Sequence, residues 1–446
     1  MTTPSGSSPP PPPDEAPWTR LWAVRRDVPH TEPGEDVRHR QSLPRTLLPA
    51  PHGMAQPLVF EPALKQYSNA YRAGEPRFPD EESARGWRRA RHSALDTVLA
   101  AIADGPWGDH LVLRGSVLLA HWCGDAARDP GDLDFVVVPK DLAMDDPRTV
   151  TLFDDIARDA EAASAEGPVH IDGTGAVTED IWTYDRVPGR RMLLPWTAAG
   201  TAGGTVQLDV VFNETLPTPG RRTALGPLGD GPGCRVLAVS PQLSLAWKLL
   251  WLTTDTHPQG KDLYDAVLLA EHTPPDYATV RAAFVHGGED GLRPPDSDWM
   301  ARMCVADEWE HFEAEYPWVT GGPAPYEDRL ARALAPLLTE VIRPGGSAYA
   351  RTVRWLHPLI EESRAGGAPD PARALGYLAG SGRDGLVAAV VILRETVGRE
   401  VIDVEEALAA VLTGHPAWQF WRQDPRRGRA ALGDLLDGTE PADPSP

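Results

Sequence analysis

The chain has 446 residues, 41% hydrophobic and 24% charged, with a formal net charge of −21. That length allows two or three domains around a sizeable core. The acidity argues against broad, non-specific adhesion to nucleic acid or to an anionic membrane, while leaving room for a local basic patch. Its three cysteines, Cys123, Cys234 and Cys304, are widely separated, which suits a reducing compartment. None has CxxC spacing, so a structural zinc site is not expected. The start, MTTPSGSSPPPPPDEAP, lacks the basic and apolar regions of a secretory signal. No run of about 18 uninterrupted apolar residues occurs, so no membrane span is expected. The expected location is the cytoplasm.

In chain order, residues 1–58 are rich in Pro and charge and have no helical or strand period. They are predicted to be disordered or extended; TRLWAVRR within them reads as tail or as a short docking segment. A helix is predicted over FPDEESARGWRRARHSALDTVLAAIADG, with Trp87, Ala90, Ala94, Leu95, Val98 and Ile102 at helical spacing. HLVLRG follows as a buried strand, SVLLAHWCG as one or two helical turns, and DLDFVVVP as a strand ended by Pro139. Residues 141–165 read helical. VHIDG, DIWTYDRV and RRMLLPW read as strands of a meander, and GGTVQLDVVFNE as a further strand. SPQLSLAWKLLWLTTD is a helix with Pro241 in its first turn, and GKDLYDAVLLAEH is the next. The remainder reads helical with Gly/Pro breaks. The expected fold class is α+β: a catalytic-type domain over 59–275, a helical domain over 276–360 and a helical C-terminal extension over 361–446.

Side chains two apart in a strand share a face. Asp132 and Asp134 therefore lie together, opposite Leu133, Phe135 and Val137. Two adjacent carboxylates repel unless a cation sits between them, and an oxygen-bound divalent ion is the usual solution; a pair of solvated loop aspartates is the bland alternative. Upstream, Gly115-Ser116 joins a buried strand to a helix start, where glycine permits close backbone approach and amides suit phosphate oxygens. Asp209 is a lone charge in the apolar strand VQLDVVF, costly unless paired or metal-bound. Three carboxylates on neighbouring strands can hold two Mg²⁺ ions, which orient a triphosphate and activate an attacking hydroxyl. Asp132, Asp134 and Asp209 are thus the candidate catalytic and metal-binding residues.

Taken in order, LRGSVLL, RDPGDLDFVVV, VQLDVVFNE, SPQLSLAWKLLWL and GKDLYDAVLL resemble the nucleotidyltransferases of the AbiEii/AbiGii toxin type. That type falls within the DNA polymerase β-like superfamily. The resemblance covers about 78–320. It implies a small mixed-sheet nucleotidyltransferase core flanked by helices, with helical C-terminal additions. It also implies Mg²⁺ as cofactor (two ions), an NTP substrate, an RNA acceptor such as tRNA, and a cognate antitoxin protein. The nucleotide-binding residues it implies are Gly115, Ser116, Arg128, Lys248, Lys261, Asp262 and Asp265. Two departures stand out: Pro130 replaces the frequent Ser or Thr, and the GDAARDPG loop lengthens the distance from Ser116 to Asp132.

Several of these residues have a plainer reading from the sequence. Lys248, alone in an apolar helix, either snorkels to solvent or reaches the triphosphate. Asp262 and Asp265 share a helix face and complement the helix dipole, whereas the resemblance implies that they position Lys248 or the nucleotide. Arg128 either binds phosphate or pairs with Asp125 or Asp129. Glu214 reads as structural. Arg85, Arg88, Arg89, Arg91 and His92, with Arg190 and Arg191, either grip RNA phosphates or form a solvated face. Two alternatives to the leading function remain: transfer to a small molecule, as in antibiotic nucleotidyltransferases, and a non-catalytic nucleotide-binding interaction module.

Overall fold

The β-branched runs of the middle third pair into one twisted mixed sheet. In this computed structural model the described residues are 18, 27–183, 187–230, 233–255, 258–296, 299–300, 306–341, 346–433 and 435. Its strands are β1 (Leu58–Phe60), β2 (Tyr71–Ala73), β3 (Leu111–Arg114), β4 (Asp132–Val137), β5 (Val169–Ile171), β6 (Val177–Thr183), β7 (Val187–Ala198), β8 (Gly204–Val211), β9 (Arg221–Leu225) and β10 (Cys234–Ala238). Among the described residues β3 to β10 form an eight-stranded sheet of order β5-β7-β8-β4-β3-β10-β9, with β6 also on β7. The pairings β4–β8 and β3–β10 are parallel, and the others are antiparallel. Mixed helix and sheet agrees with the α+β expectation.

Helix α1 (Glu35–Gln41) precedes the sheet, and α2 (Glu81–Asp104), α3 (Ser116–Cys123) and α4 (Leu152–Ser164) accompany it. The start of α2 is set by Asp80, whose side chain accepts from the Ser83 amide at 2.8 Å, with Glu81 and Glu82 in the first turn. Of its predicted stripe, Trp87, Ala94, Leu95, Val98 and Ile102 are buried and Ala90 is half-buried. Trp87 packs on Trp196 of β7 at 5.8 Å between ring centroids.

The segment 1–58 departs from expectation from Asp27 onward. Val28, Val37, Leu43, Leu47 and Ala50 close a buried cluster with Trp18, and Leu58 and Ala73 pack against it. Thr46 donates to Glu179 of β6 through its amide (3.1 Å) and its hydroxyl (3.0 Å). The physical reason is that these apolar residues are spaced by prolines and turns, so no helix or strand period marks them. TRLWAVRR lies outside the described residues.

The chain divides into two compact units. The first comprises Met1–Glu214, Pro219–Ser240 and Glu313–Val319, and the second Thr215–Thr218, Pro241–Phe312 and Thr320–Pro446. The changeover at Ser240–Pro241 comes ahead of the expected boundary at 275, because the Pro-led helix belongs to the helical unit. That unit contains α5 (Pro241–Thr254), α6 (Gly260–His272), α7 (Tyr277–His286), α8 (Ala324–Val341), α9 (Ala348–Gly366), α10 (Gly382–Val397) and α11 (Val404–Gly414). Residues 276–360, apart from Glu313–Val319, and residues 361–446, expected as separate pieces, share this unit, since α10 packs between α9 and α11. Among the described residues one stretch, Pro371–Val397, is long and apolar enough by composition to cross a membrane. It is broken into short helical pieces before α10, whose Leu386, Val390, Val391 and Ile392 are fully buried.

Candidate active site

Cross-strand register builds the site. Asp134 lies opposite Asp209 in the parallel pair β4–β8, with Asp132 opposite Gln207. Opposed residues share a sheet face. Leu133, Phe135, Leu208 and Val210 are buried on the other side, while Asp132, Asp134 and Asp209 keep partial exposure. Register extends the row: Arg114 of β3 faces Asp134, Arg191 of β7 faces Asp209, and Glu179 of β6 faces Arg191. Charged residues thus cross five adjacent strands in the order Glu, Arg, Asp, Asp, Arg, and the two like charges are neighbours.

The Gly115-Ser116 turn is fitted to these aspartates. Gly115 has φ +84°, and a Cβ there would run into the Asp134 carboxylate, so only glycine suits both the backbone and the space. The Ser116 hydroxyl donates to Asp132 Oδ1 at 3.0 Å. Arg114 is 3% exposed and donates to Glu214 at 2.8 Å, which gives Glu214 its structural task.

Asp209 is held differently. Arg191 donates to both its oxygens, Nε to Oδ1 at 2.8 Å and Nη2 to Oδ2 at 2.7 Å, in the bidentate fork that suits guanidinium and carboxylate. A second acid, Glu61, receives Arg191 Nη1 at 3.3 Å and Arg72 Nε at 3.2 Å. Burial works against the Arg191 charge, but Asp209 and Glu61 outweigh it and hold the guanidinium charged. Burial pushes the Asp209 carboxyl above its ordinary value; Arg191 opposes this, and the Asp132 and Glu61 charges add to it. Arg191, offered by the sequence as a contact to RNA, is instead 3% exposed and turned inward. Arg190 is the outward member of the pair and meets Asp180 at 2.8 Å.

These contacts test the two-ion expectation. Asp132 and Asp134, hard oxygen donors on one face beside a glycine turn, fit a divalent cation. Asp209 does not, because both its oxygens are engaged by Arg191. Among the described residues no group of three His, Cys, Asp or Glu side chains is placed to hold a metal ion.

The long loop before β4 is pinned by its own acid. Asp129 accepts from buried Arg91 and lies 2.5 Å from His92 Nε2, while Arg91 also grips Glu75 at 2.8 Å. Burial opposes ionisation of Asp129, yet His92 and Arg91 hold its carboxyl below the ordinary value. Arg91 therefore leaves the proposed RNA-facing cluster. Arg128 is 8% exposed and donates to Tyr316, whose hydroxyl burial pushes up to about 12.

The second unit brings together Lys248, Asp262 and Asp265. Lys248 Nζ meets Asp262 Oδ1 at 2.7 Å and Asp265 Oδ2 at 3.1 Å, and lies 5.0 Å from the Trp251 ring centroid. Leu245, Leu249 and Leu252 are buried along with Leu243, Ala246, Trp247, Leu250 and Trp251, so Lys248 has no open side toward which to snorkel. Lys261 is half-buried at the start of α6. Sequence reasoning missed Glu61, Arg72 and the inward turn of Arg191. The adjacent arginines of GRRMLLPW were one available signal, since neighbouring residues in a strand face opposite sides.

The model of the family "Nucleotidyl transferase AbiEii toxin, Type IV TA system" matches residues 97–332, more than half of the chain. The chain belongs to this family. No curated protein matches it. The AbiEii match includes the Gly-Ser turn, all three aspartates, Arg191 and the Lys248 group, whereas Glu61, Arg72, Arg91 and His92 precede it.

Proposed function

We propose that the chain transfers a nucleoside monophosphate from an NTP to an RNA hydroxyl, tRNA being the family-like acceptor, as the toxin of a toxin–antitoxin pair in the cytoplasm. The observation that carries this is the register that sets Asp132, Asp134 and Asp209 on one half-open face beside Gly115. Asp132 and Asp134 would hold the divalent cation, which supplies charge neutralisation at the triphosphate when bound. Gly115 and the amides at the start of α3 let phosphate oxygens approach the backbone closely. Likeness to the family gives Arg128 the part of a phosphate contact, whereas Lys248, enclosed by Asp262 and Asp265, braces the second unit. Catalysis then comes from positioning and electrostatics, with no covalent intermediate on the protein.

An RNA acceptor is supported by a cavity of about 360 Å³ in the first unit, lined by Arg85, Arg88, Arg89, His92 and Asp230. In a chain of net charge −21 this is a local group of arginines, two of which, Arg85 and Arg88, also pair with Glu81, and His92 ties it to Asp129 just ahead of β4. The decisive experiment incubates the chain with each labelled NTP, Mg²⁺ and total RNA. Label should enter RNA, and Asp134→Ala should lower transfer by about 100-fold or more, on the scale of losing electrostatic stabilisation. Label on a small molecule would replace the acceptor. Nucleotide binding with no transfer would leave only an interaction module.

A further inference from the structure

We infer that Arg191, clamped between Asp209 and Glu61, occupies the charge-neutralising position that a second divalent cation would need, so that the site binds one cation, on Asp132 and Asp134. This rests on the nucleotidyl transferase reading of the site and deepens it. A divalent ion takes carboxylate oxygens at roughly 2.0–2.6 Å. Both Asp209 oxygens already receive guanidinium N–H groups at 2.8 and 2.7 Å, and a cation approaching either one meets a like charge.

Displacing the guanidinium is opposed on two sides. Arg191 is 3% exposed, so it has no open path to water. Its other amino group is held at 3.3 Å by Glu61, itself bound by Arg72, which also faces Glu315 at 3.7 Å. The chain Glu315–Arg72–Glu61–Arg191–Asp209 is therefore an alternating run of charge that ends on the site's third acid. Register puts Arg191 and Asp134 on either side of Asp209, so the positive charge lies on the same face as the acid pair. The fork is specific to arginine: a lysine ammonium is a compact point charge and cannot span two carboxylate oxygens in the same way.

The test counts Mn²⁺ bound to the full chain, using the metal alone, by calorimetric titration with electron paramagnetic resonance of the free ion as a check. One Mn²⁺ is expected per wild-type chain, lost in Asp134→Asn. Two are expected per chain in Arg191→Lys, which frees a carboxylate oxygen. Glu61→Gln loosens Arg191 without touching either end of its fork, and should bring a second Mn²⁺ into the titration. It serves as the independent variant if Arg191→Lys is unfolded by circular dichroism. Two ions in the wild type would overturn the inference and leave the proposed activity standing. One ion in folded Arg191→Lys, or still a single ion in Glu61→Gln, would also overturn it. No Mn²⁺ at all in the wild type would remove the metal reading of the whole site.

Discussion

Asp209 and Lys248 present the same problem in two different regions: each is the single charge in an otherwise apolar element. In the helical unit the solution is local. Lys248 is met by Asp262 and Asp265 from the next helix, side chains that are 10%, 8% and 2% exposed. In the sheet unit the solution is long-range: Asp209 is answered by Arg191 from the neighbouring strand and Glu61 from far upstream, at 13%, 4% and 14% exposure. The helical triad is almost shut off from water, whereas the acids of the sheet keep an edge open. A closed group of this kind fixes a structure, and an open one leaves a surface on which a ligand can act.

Removing the cation from each group should break the comparison most sharply. Lys248→Met leaves two buried aspartates facing each other, and a loss of about 3–5 kcal/mol is expected, read by denaturant unfolding. Arg191→Met should cost less, because Asp209 can take water at its open edge; an equal loss from both would erase the distinction. Next in size is Gly115→Ala, which strains a left-handed position and drives a methyl group into the Asp134 carboxylate. It should cost about 1–3 kcal/mol of stability and lower Mn²⁺ affinity, whereas alanine at the exposed Gly366 should change neither.

The smallest effect concerns Glu179, at the far end of the charged row, which accepts from the Tyr67 hydroxyl. Burial first, and then that carboxylate, push the Tyr67 hydroxyl from 10.0 up to about 12. Its folded value is raised, so its contribution is full below about pH 10 and is lost as pH rises through about 12. Alkaline unfolding of Tyr67→Phe should therefore show a shallower decline over that window than the wild type.

The parts of this site that sequence made legible are those governed by short-range periodicity. DLDF and VQLDVV alternate, so Asp132 and Asp134 could be put on one face of their strand, and Asp209 opposite Leu208 and Val210 on its own, from the strands alone. The spacing in GKDLYD likewise put Asp262 and Asp265 on one side of a helix, ready for Lys248. Register between strands is not written in that way. Whether Arg191 meets Asp209 depends on where the hairpin from β7 to β8 closes, and shifting it by one residue would turn Arg191 to the other face. The early segment was illegible for another reason: Leu43, Leu47 and Ala50 are gathered by turns such as Ser42, at φ 48°, which leave no regular period. The same holds for Arg91, which sits among arginines that face outward and differs from them only through Glu75 and Asp129.

The family match opens at residue 97, partway along a helix that begins at Glu81. Kinship and self-sufficiency therefore have different borders in this molecule. The inherited stretch carries the acids, but the half-helix with Trp87 and Arg91, and the hairpin with Glu61 and Arg72, lie upstream of it. A gene trimmed to the shared region would encode a sheet without its brace and an Arg191 without its second anchor. Comparison with relatives should accordingly ask what each of them supplies at that position from outside the common stretch.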